Sequence, residues 1–372
     1  MNVNSTKWVR LGEYIELCNE RNSEGKYTLK DAMGMTITKE IIPTKANLKD
    51  NDLSKFWIVK PGEFVYNPRT HGKKIGLGYN NTGRPFIISW NNIAFRVKDI
   101  NELLPEYLYI IVCREEWDRY ACFQSWGSST EVFSWNEFSL MEIPLPDINI
   151  QQELVDIYNG LKALVEQNEA LIEPLSKACA AFIANCKKSY KKEELGEYIK
   201  ELDKRNTDNS IKLVKSVSVT KEFKDTNAKV NKEELSGYKI VPPNFIAYVQ
   251  TTKNEKCFAN ALNTTNDTYV VSQVDRVITT KDASKLNIGY LHLILRSNEF
   301  DRYAIFNSWG SARETFDWSE LCRVKIPLPP FEVQQSIVDL YKCLEEAKKI
   351  ASEAREQLKT LCPALVQRAA NS

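Results

Sequence analysis

The chain has 372 residues, 43% hydrophobic and 10% aromatic, the composition of an ordinary folded protein with room for two or three domains. With 50 Lys and Arg against 49 Asp and Glu the net charge is +1, so any polyanion-binding surface must come from local segregation of sign. No apolar run is long enough to span a bilayer and no apolar leader core follows the first residues, so no membrane association is expected and the cytoplasm is the expected compartment.

In chain order, the first part opens on Leu11-Gly12-Glu13-Tyr14-Ile15 and the pair Arg21-Asn22. Short β-rich runs such as Phe86 to Ser89 and Asn92 to Val97 then alternate with Gly, Asn and Pro punctuation. From Phe64 to Lys98 there is no Asp or Glu, while Arg69, Lys73, Lys74, Arg84, Arg96 and Lys98 fall inside that window. Such a stretch suits a phosphate-facing surface, and it equally suits a solvated basic edge. An amphipathic helix is expected from near Pro105, followed by Asp118-Arg119-Tyr120-Ala121 and the segment QSWGSSTEVFSWNEFSLMEIPLP, Gln124 to Pro146.

The prolines of Ile143-Pro144-Leu145-Pro146 forbid a continuous helix there. From Gln151 onward apolar residues keep helical spacing for about 30 residues, which predicts one long helix. Leu154, Ile157, Leu161, Leu164, Leu171 and Leu175 form a heptad seam, with Asn168 at a seam position where a buried Asn fixes register. Pro174 is expected to kink this helix.

About 183 residues later everything returns. Leu195-Gly196-Glu197-Tyr198-Ile199 precedes Arg205-Asn206, Val219-Thr220-Lys221-Glu222 answers Ile37-Thr38-Lys39-Glu40, and Asp301-Arg302-Tyr303-Ala304 answers Asp118 to Ala121. A second helix is predicted near Asn287. NSWGSARETFDWSELCRVKIPLP then leads through Gln334-Gln335 into a second seam of Ile337, Leu340, Leu344, Ala351, Leu358 and Leu361. Two matched seams in one chain favour pairing with each other. Nine cysteines without a Cys-x-x-Cys pair, and only His71 and His292, offer no zinc ligand set and no nucleophilic triad, so reduced thiols are expected.

The expected fold is therefore α+β: two β-rich globules separated by two long helices that pair as an antiparallel coiled coil, with approximate twofold symmetry. A helix of about 30 residues is a rod of about 45 Å, comparable to the 34 to 36 Å, roughly, between half-sites one DNA turn apart. A two-headed protein-binding adaptor would share this outline. No glycine-rich cofactor loop is present. Asn67-Pro68-Arg69-Thr70 lacks the second proline and the aromatic of an amino-methyltransferase motif, and no Gly-x-x-x-x-Gly-Lys-Ser/Thr phosphate loop occurs. The protein is expected to be non-catalytic and to need no cofactor or metal.

The order of parts, Ile-Pro-Leu-Pro followed by Gln-Gln and a long helix, and its full second copy resemble the DNA specificity subunit of Type I restriction-modification systems. The resemblance implies two target recognition domains, 1–146 and 191–329, and two spacer helices, 147–190 and 330–372. It implies as partners a double-stranded DNA with a split target and two methyltransferase subunits, joined in a complete enzyme by ATP-dependent restriction subunits.

On that resemblance, base contacts are expected from polar loop residues whose donors and acceptors match base edges. In the first globule these are Arg69, His71, Lys73 and Lys74 on the loop Tyr66 to Lys74, then Asn80, Asn81 and Arg84. In the second they are Gln250, Thr251, Lys253, Asn254 and Lys256 on the corresponding loop, which shares its place but not its side chains. Unlike loops on alike frameworks suit two heads that read different half-sites. Gln124, Ser128 and Ser129, with Asn307, Ser311 and Arg313, are secondary candidates, because Ser-Trp-Gly-Ser offers backbone amides at a tight turn. Phe133, Trp135, Phe316 and Trp318 are expected in the core. Arg21, Asn22, Arg205 and Asn206 fit either phosphate contacts or turn chemistry.

Overall fold

The computed structural model describes residues 7–49, 51–70, 74–127, 131–226, 229–231, 233–251, 257–310 and 314–371, with side chains of the last helix up to residue 359. Two compact units divide the chain: Met1–Asn168 with Ile350–Ser372, and Glu169–Lys349. Each unit holds one β-rich globule and half of each long helix. The start of the first helix shares a unit with the end of the second, the order an antiparallel pair requires. In the second unit the Cys179 thiol lies within electrostatic reach of Cys343, Glu345 and Lys348.

The globule of the first unit is built on a four-stranded antiparallel sheet in the order Ile15–Leu17, Ile93–Val97, Phe64–Tyr66, Leu77–Tyr79. Its strand Phe64–Tyr66 is buried on both faces by simple alternation. Phe64 and Tyr66 enter a core with Phe95, Trp117, Phe133 and Phe138, and Val65 faces Val59, Phe86, Ile88 and Ala94. The aromatic core is tightly interlocked, with Tyr66 stacked on Phe138 at 4.9 Å between centroids and Trp117 edge-on to the same ring at 4.9 Å. The second globule repeats the sheet as Ile199–Glu201, Arg276–Thr280, Ile246–Tyr248, Asn260–Leu262, around Tyr248, Phe258, Phe300 and Phe316.

The repeated motifs are framework. Ile-Pro-Leu forms an edge strand, Glu142–Leu145, antiparallel to Lys7–Arg10. Proline is tolerated at such an edge because its missing donor has no ladder partner to lose. The buried hydroxyl of Tyr107 donates to the Pro144 carbonyl at 2.9 Å, and that of Tyr290 to Pro327 at 3.1 Å. Gly12 and Gly196 allow close packing on the short helix before this strand: an added Cβ would lie 2.8 Å from Ser139 Cβ and 2.9 Å from Cys322 Cβ. Gln151 is a fully buried clamp. Its Nε2 donates to the Glu102 and Pro146 carbonyls and its Oε1 accepts from Leu104 N–H, each at 2.9 Å. Gln334 makes the same three bonds to Lys285, Pro329 and Asn287.

The long helices are Ile148–Ser189 and Phe331–Asn371. The first continues through Pro174, which sits on its exposed face. Along the second, Ile337, Leu344, Ala351 and Ala354 are buried and Leu340 and Leu358 are half-buried, as the heptad expects; the Leu361 side chain lies outside the described residues. Along the first, one rung of the expected seam is displaced by a residue. Leu154 is buried and Leu161 and Leu175 are half-buried, but Ile157, Leu164 and Leu171 are exposed. Their neighbours Tyr158, Val165 and Ile172 turn inward instead, and Cys179 continues that row. A heptad admits steps of three then four or four then three, and apolar neighbours at each rung fit both. Asn168 is half-buried at the seam, but its amide donates to the Leu164 carbonyl of its own helix at 2.8 Å, so it is satisfied without a partner helix.

Candidate nucleic-acid interface

The two candidate loops of each copy, about 60 residues apart in sequence, are brought together by backbone hydrogen bonds. In the first unit Phe133 N–H donates to the Pro68 carbonyl at 2.7 Å and Thr70 N–H to the Glu131 carbonyl at 3.1 Å, while Trp126 and Val132 exchange bonds of 3.2 and 3.0 Å. Val132 bridges both Arg69 and Trp126, so the two loops form one small patch. In the second unit Phe316 N–H donates to the Gln250 carbonyl at 2.8 Å, and Thr315 bridges both Thr251 and Trp309. Gly127 and Gly310 make the tight turn of the Ser-Trp-Gly segment with φ of 154° and 135°, values that favour glycine.

The far end of each candidate loop is pinned by a buried ion pair. Lys39 Nζ lies 2.5 Å from Asp118 Oδ1, and the same oxygen accepts from Ile75 N–H at 3.2 Å. In the second copy Lys221 lies 2.6 Å from Asp301, whose Oδ1 accepts from Phe258 N–H at 2.8 Å. Both lysines sit at positive φ, 67° and 64°. This pair accounts for two of the repeated motifs read from the sequence. The loop is thus held at both ends. Tyr66 pairs with Leu77 and Tyr248 with Asn260, so the second loop is one residue longer.

Arg69 and Lys74 are exposed on the first loop, and Arg69 N–H is fixed by an Asx turn to Asn67 Oδ1 at 3.0 Å. Gln250 and Thr251 are half-buried at the base of the second, where Gln250 Nε2 reaches the Val274 carbonyl at 3.4 Å. His71, Lys73, Ser128, Ser129, Lys253, Asn254, Lys256, Ser311 and Arg313 lie outside the described residues.

The remaining candidates lie away from the tips of these loops. Asn80 is buried, and its amide donates to the Val59 and Arg84 carbonyls at 3.0 Å each, so its side chain builds a turn. Asn263 does the same in the second copy, donating to Val241 and Asp267. Asn81 and Arg84 are exposed on that turn, but it lies at the opposite end of the hairpin from Arg69, where Gly62 N–H bonds the Asn80 carbonyl. Gln124 and Asn307 are half-buried C-caps of the helices Glu115–Phe123 and Asn298–Phe306. Gln124 bonds Tyr120 through its side chain, and Asn307 Nδ2 donates to the Tyr303 carbonyl at 2.8 Å.

Phe133 and Phe316 are buried and Trp135 and Trp318 half-buried, as expected of core aromatics. Asn22 and Asn206 are buried turn organisers, and Arg21 stacks 3.8 Å over the Trp57 ring. Sequence reasoning missed the exposed rings of Phe123, Trp126, Phe306 and Trp309 at this patch. Their signal was available, because Phe and Trp recur at the same places in both copies. Among the described residues no group of three or more His, Cys, Asp or Glu could hold a metal ion.

A model of the Type I restriction modification DNA specificity domain matches the chain twice, at residues 8–177 and 181–360. The putative type I restriction enzyme MjaX specificity subunit of Methanocaldococcus jannaschii aligns at 21% identity over 88% of this chain and 84% of its own. The S subunit of a Type I restriction-modification system from M. genitalium matches 99% of this chain and 97% of its own, at TM-score 0.59 and 12% identity, a likeness of fold. The HsdS subunit from Thermoanaerobacter tengcongensis is similar over 100% of this chain and 97% of its own, at TM-score 0.42 and 17% identity.

Proposed function

Because the chain belongs to the Type I restriction-modification DNA specificity family, we propose that it is the non-catalytic subunit that reads a split DNA target. On this reading 1–146 and 191–329 are the recognition domains, and 147–190 and 330–372 set the distance between half-sites. Two methyltransferase subunits supply the chemistry, and ATP-dependent restriction subunits join them in a complete enzyme. The observation that carries the reading is that one framework, down to the Lys–Asp pair and the glutamine clamp, presents two loops of different length and composition.

Reading then divides into two physical tasks. Exposed cations such as Arg69 and Lys74 neutralise phosphates and position the duplex, while loop side chains with paired donors and acceptors discriminate base edges. With a net charge of +1, affinity depends on this local charge and falls steeply with salt.

Co-expression with cognate methyltransferase subunits, followed by mapping of methylated bases, tests the proposal. A split motif with a fixed unspecified spacer is expected. Exchanging residues 67–74 or 249–256 for the loop of a relative should change one half-site and leave the other intact. Methylation of an unsplit motif, or a loop exchange that alters both half-sites together, defeats the reading.

A further inference from the structure

We propose that the exposed pairs Phe123 with Trp126 and Phe306 with Trp309 are apolar wedges for duplex DNA, one at each half-site, that hold the base stack open beside the reading loop. The inference rests on the reading of the chain as a DNA specificity subunit.

These rings are 81%, 74%, 85% and 71% exposed in the order named. Apolar exposure on this scale at one spot marks a surface built to meet something. Both rings are identical and exposed in the two copies, far more so than the other recurring exposed apolar residue among those described, Leu29 with Leu213 at 46% and 39%. The other identities nearby have framework reasons: Phe133 and Phe316 fill cores, and Asp118 and Asp301 hold buried lysines. No packing reason retains the exposed pair. Around these rings Ser125, Gly127, Ser128 and Glu131 also recur, as Ser308, Gly310, Ser311 and Glu314, while the loops 67–74 and 249–256 beside them have diverged. The retained contact is therefore indifferent to the sequence being read.

Continuity with the reading loop identifies the occupant. Trp126 is joined through Val132 to Arg69, and Trp309 through Thr315 to Thr251. A duplex lying on Arg69 or Thr251 therefore also meets the tryptophan. Charge agrees: Arg119 and Arg302 are exposed one helical turn before Phe123 and Phe306, on the same helices, and Arg119, which reaches Glu116 at 3.3 Å across solvent, can exchange that partner for a phosphate. Stacking on an aromatic face tolerates any base, and apolar side chains inserted at a base step unstack it. A base that is to be modified has to leave the stack, and a ring that occupies the opened step offsets that cost equally at both half-sites.

The test uses the full chain assembled with its methyltransferase subunits, and duplexes carrying 2-aminopurine beside the modified base of one half-site or the other. Wild type is expected to raise the fluorescence at both. F123A/W126A should abolish the rise and slow methylation about tenfold or more at its own half-site only. Assembly, by sizing, and the salt slope of DNA affinity should stay unchanged. F306A/W309A should do the same at the other half-site, and Trp126→Phe should restore most of the signal. Loss of subunit assembly in these variants would assign the rings to a protein partner and overturn the wedge. An unchanged fluorescence rise overturns it as well. If the wild-type complex recognises no split target, the functional reading itself fails, and the wedge with it.

Discussion

Asp118→Asn is the sharpest probe of how the candidate loop is held. Asp118 and Lys39 are both at least nine-tenths buried and lie 2.5 Å apart. At that distance an effective dielectric of about 20 gives roughly 7 kcal/mol of gross attraction, most of it offset by desolvation. Neutralising one partner leaves Lys39 charged in the core, and that costs about 3 to 5 kcal/mol. The amide oxygen can still accept from Ile75 N–H, so the loss is electrostatic. Amide exchange of the full chain reads it directly. Amides of Phe64–Tyr66 and Leu77–Tyr79 should exchange faster by roughly two orders of magnitude or more. Those of Ile246–Tyr248 and Asn260–Leu262 should not change and serve as an internal control. Adding Lys39→Met should recover part of the loss, because a neutral pair carries no stranded charge. Exchange within about threefold of wild type in D118N, or a K39M change that adds to the damage, would refute the reasoning.

Three further outcomes are expected. Burial pushes the Asp275 carboxyl up to about 7, against a smaller opposing pull from Lys239. Its folded value is above its unfolded one, so the stability it contributes is full below about pH 4 and is lost as pH rises to about 7, on the order of 4 kcal/mol in all; denaturation of Asp275→Asn at pH 5 and pH 8 should show that slope removed. Burial among Arg296 and Lys221 lowers the His292 value to about 3, so its contribution is full above about pH 6.5 and is lost as pH falls toward 3. Tyr109, at the equivalent place in the first copy, donates to the Lys39 carbonyl at 2.8 Å, so His292→Tyr should bond Lys221 likewise and lower the acid-unfolding midpoint. Gln151→Glu should destabilise the start of the first long helix more than Gln151→Ala, because it sets a carboxylate against the Glu102 and Pro146 carbonyls; exchange at residues 148–155 distinguishes the two.

The architecture was legible because the chain states it twice. Motifs shared across the repeat, such as Lys39 with Asp118 and Gln151 with Gln334, proved to be the groups that need one another or a fixed backbone. Local spacing was less decisive. Ile157 and Tyr158 fit the same heptad rung, and which one turns inward depends on packing that no count of steps contains. Polar loop residues look alike in sequence, so nothing local separates Asn80 from an exposed base-contacting residue, although Asn80 to Thr82 and Asn263 to Thr265 form the same turn in both copies. The meeting of residues 67–70 with Trp126 and residues 131–133 is a tertiary fact, carried by backbone bonds that side-chain identity does not announce.

The double tether has a consequence for how such a molecule diversifies. Residues between Thr70 and Ile75, or between Thr251 and Phe258, can be lengthened as well as replaced while both anchors stay in place, and doubling a loop of this kind costs only about 0.6 kcal/mol in closure entropy. On the proposed reading, each head would then serve as a socket for interchangeable inserts. New preferences can then arise through insertion, deletion or recombination at the tip, with the surrounding scaffold under separate and stricter selection.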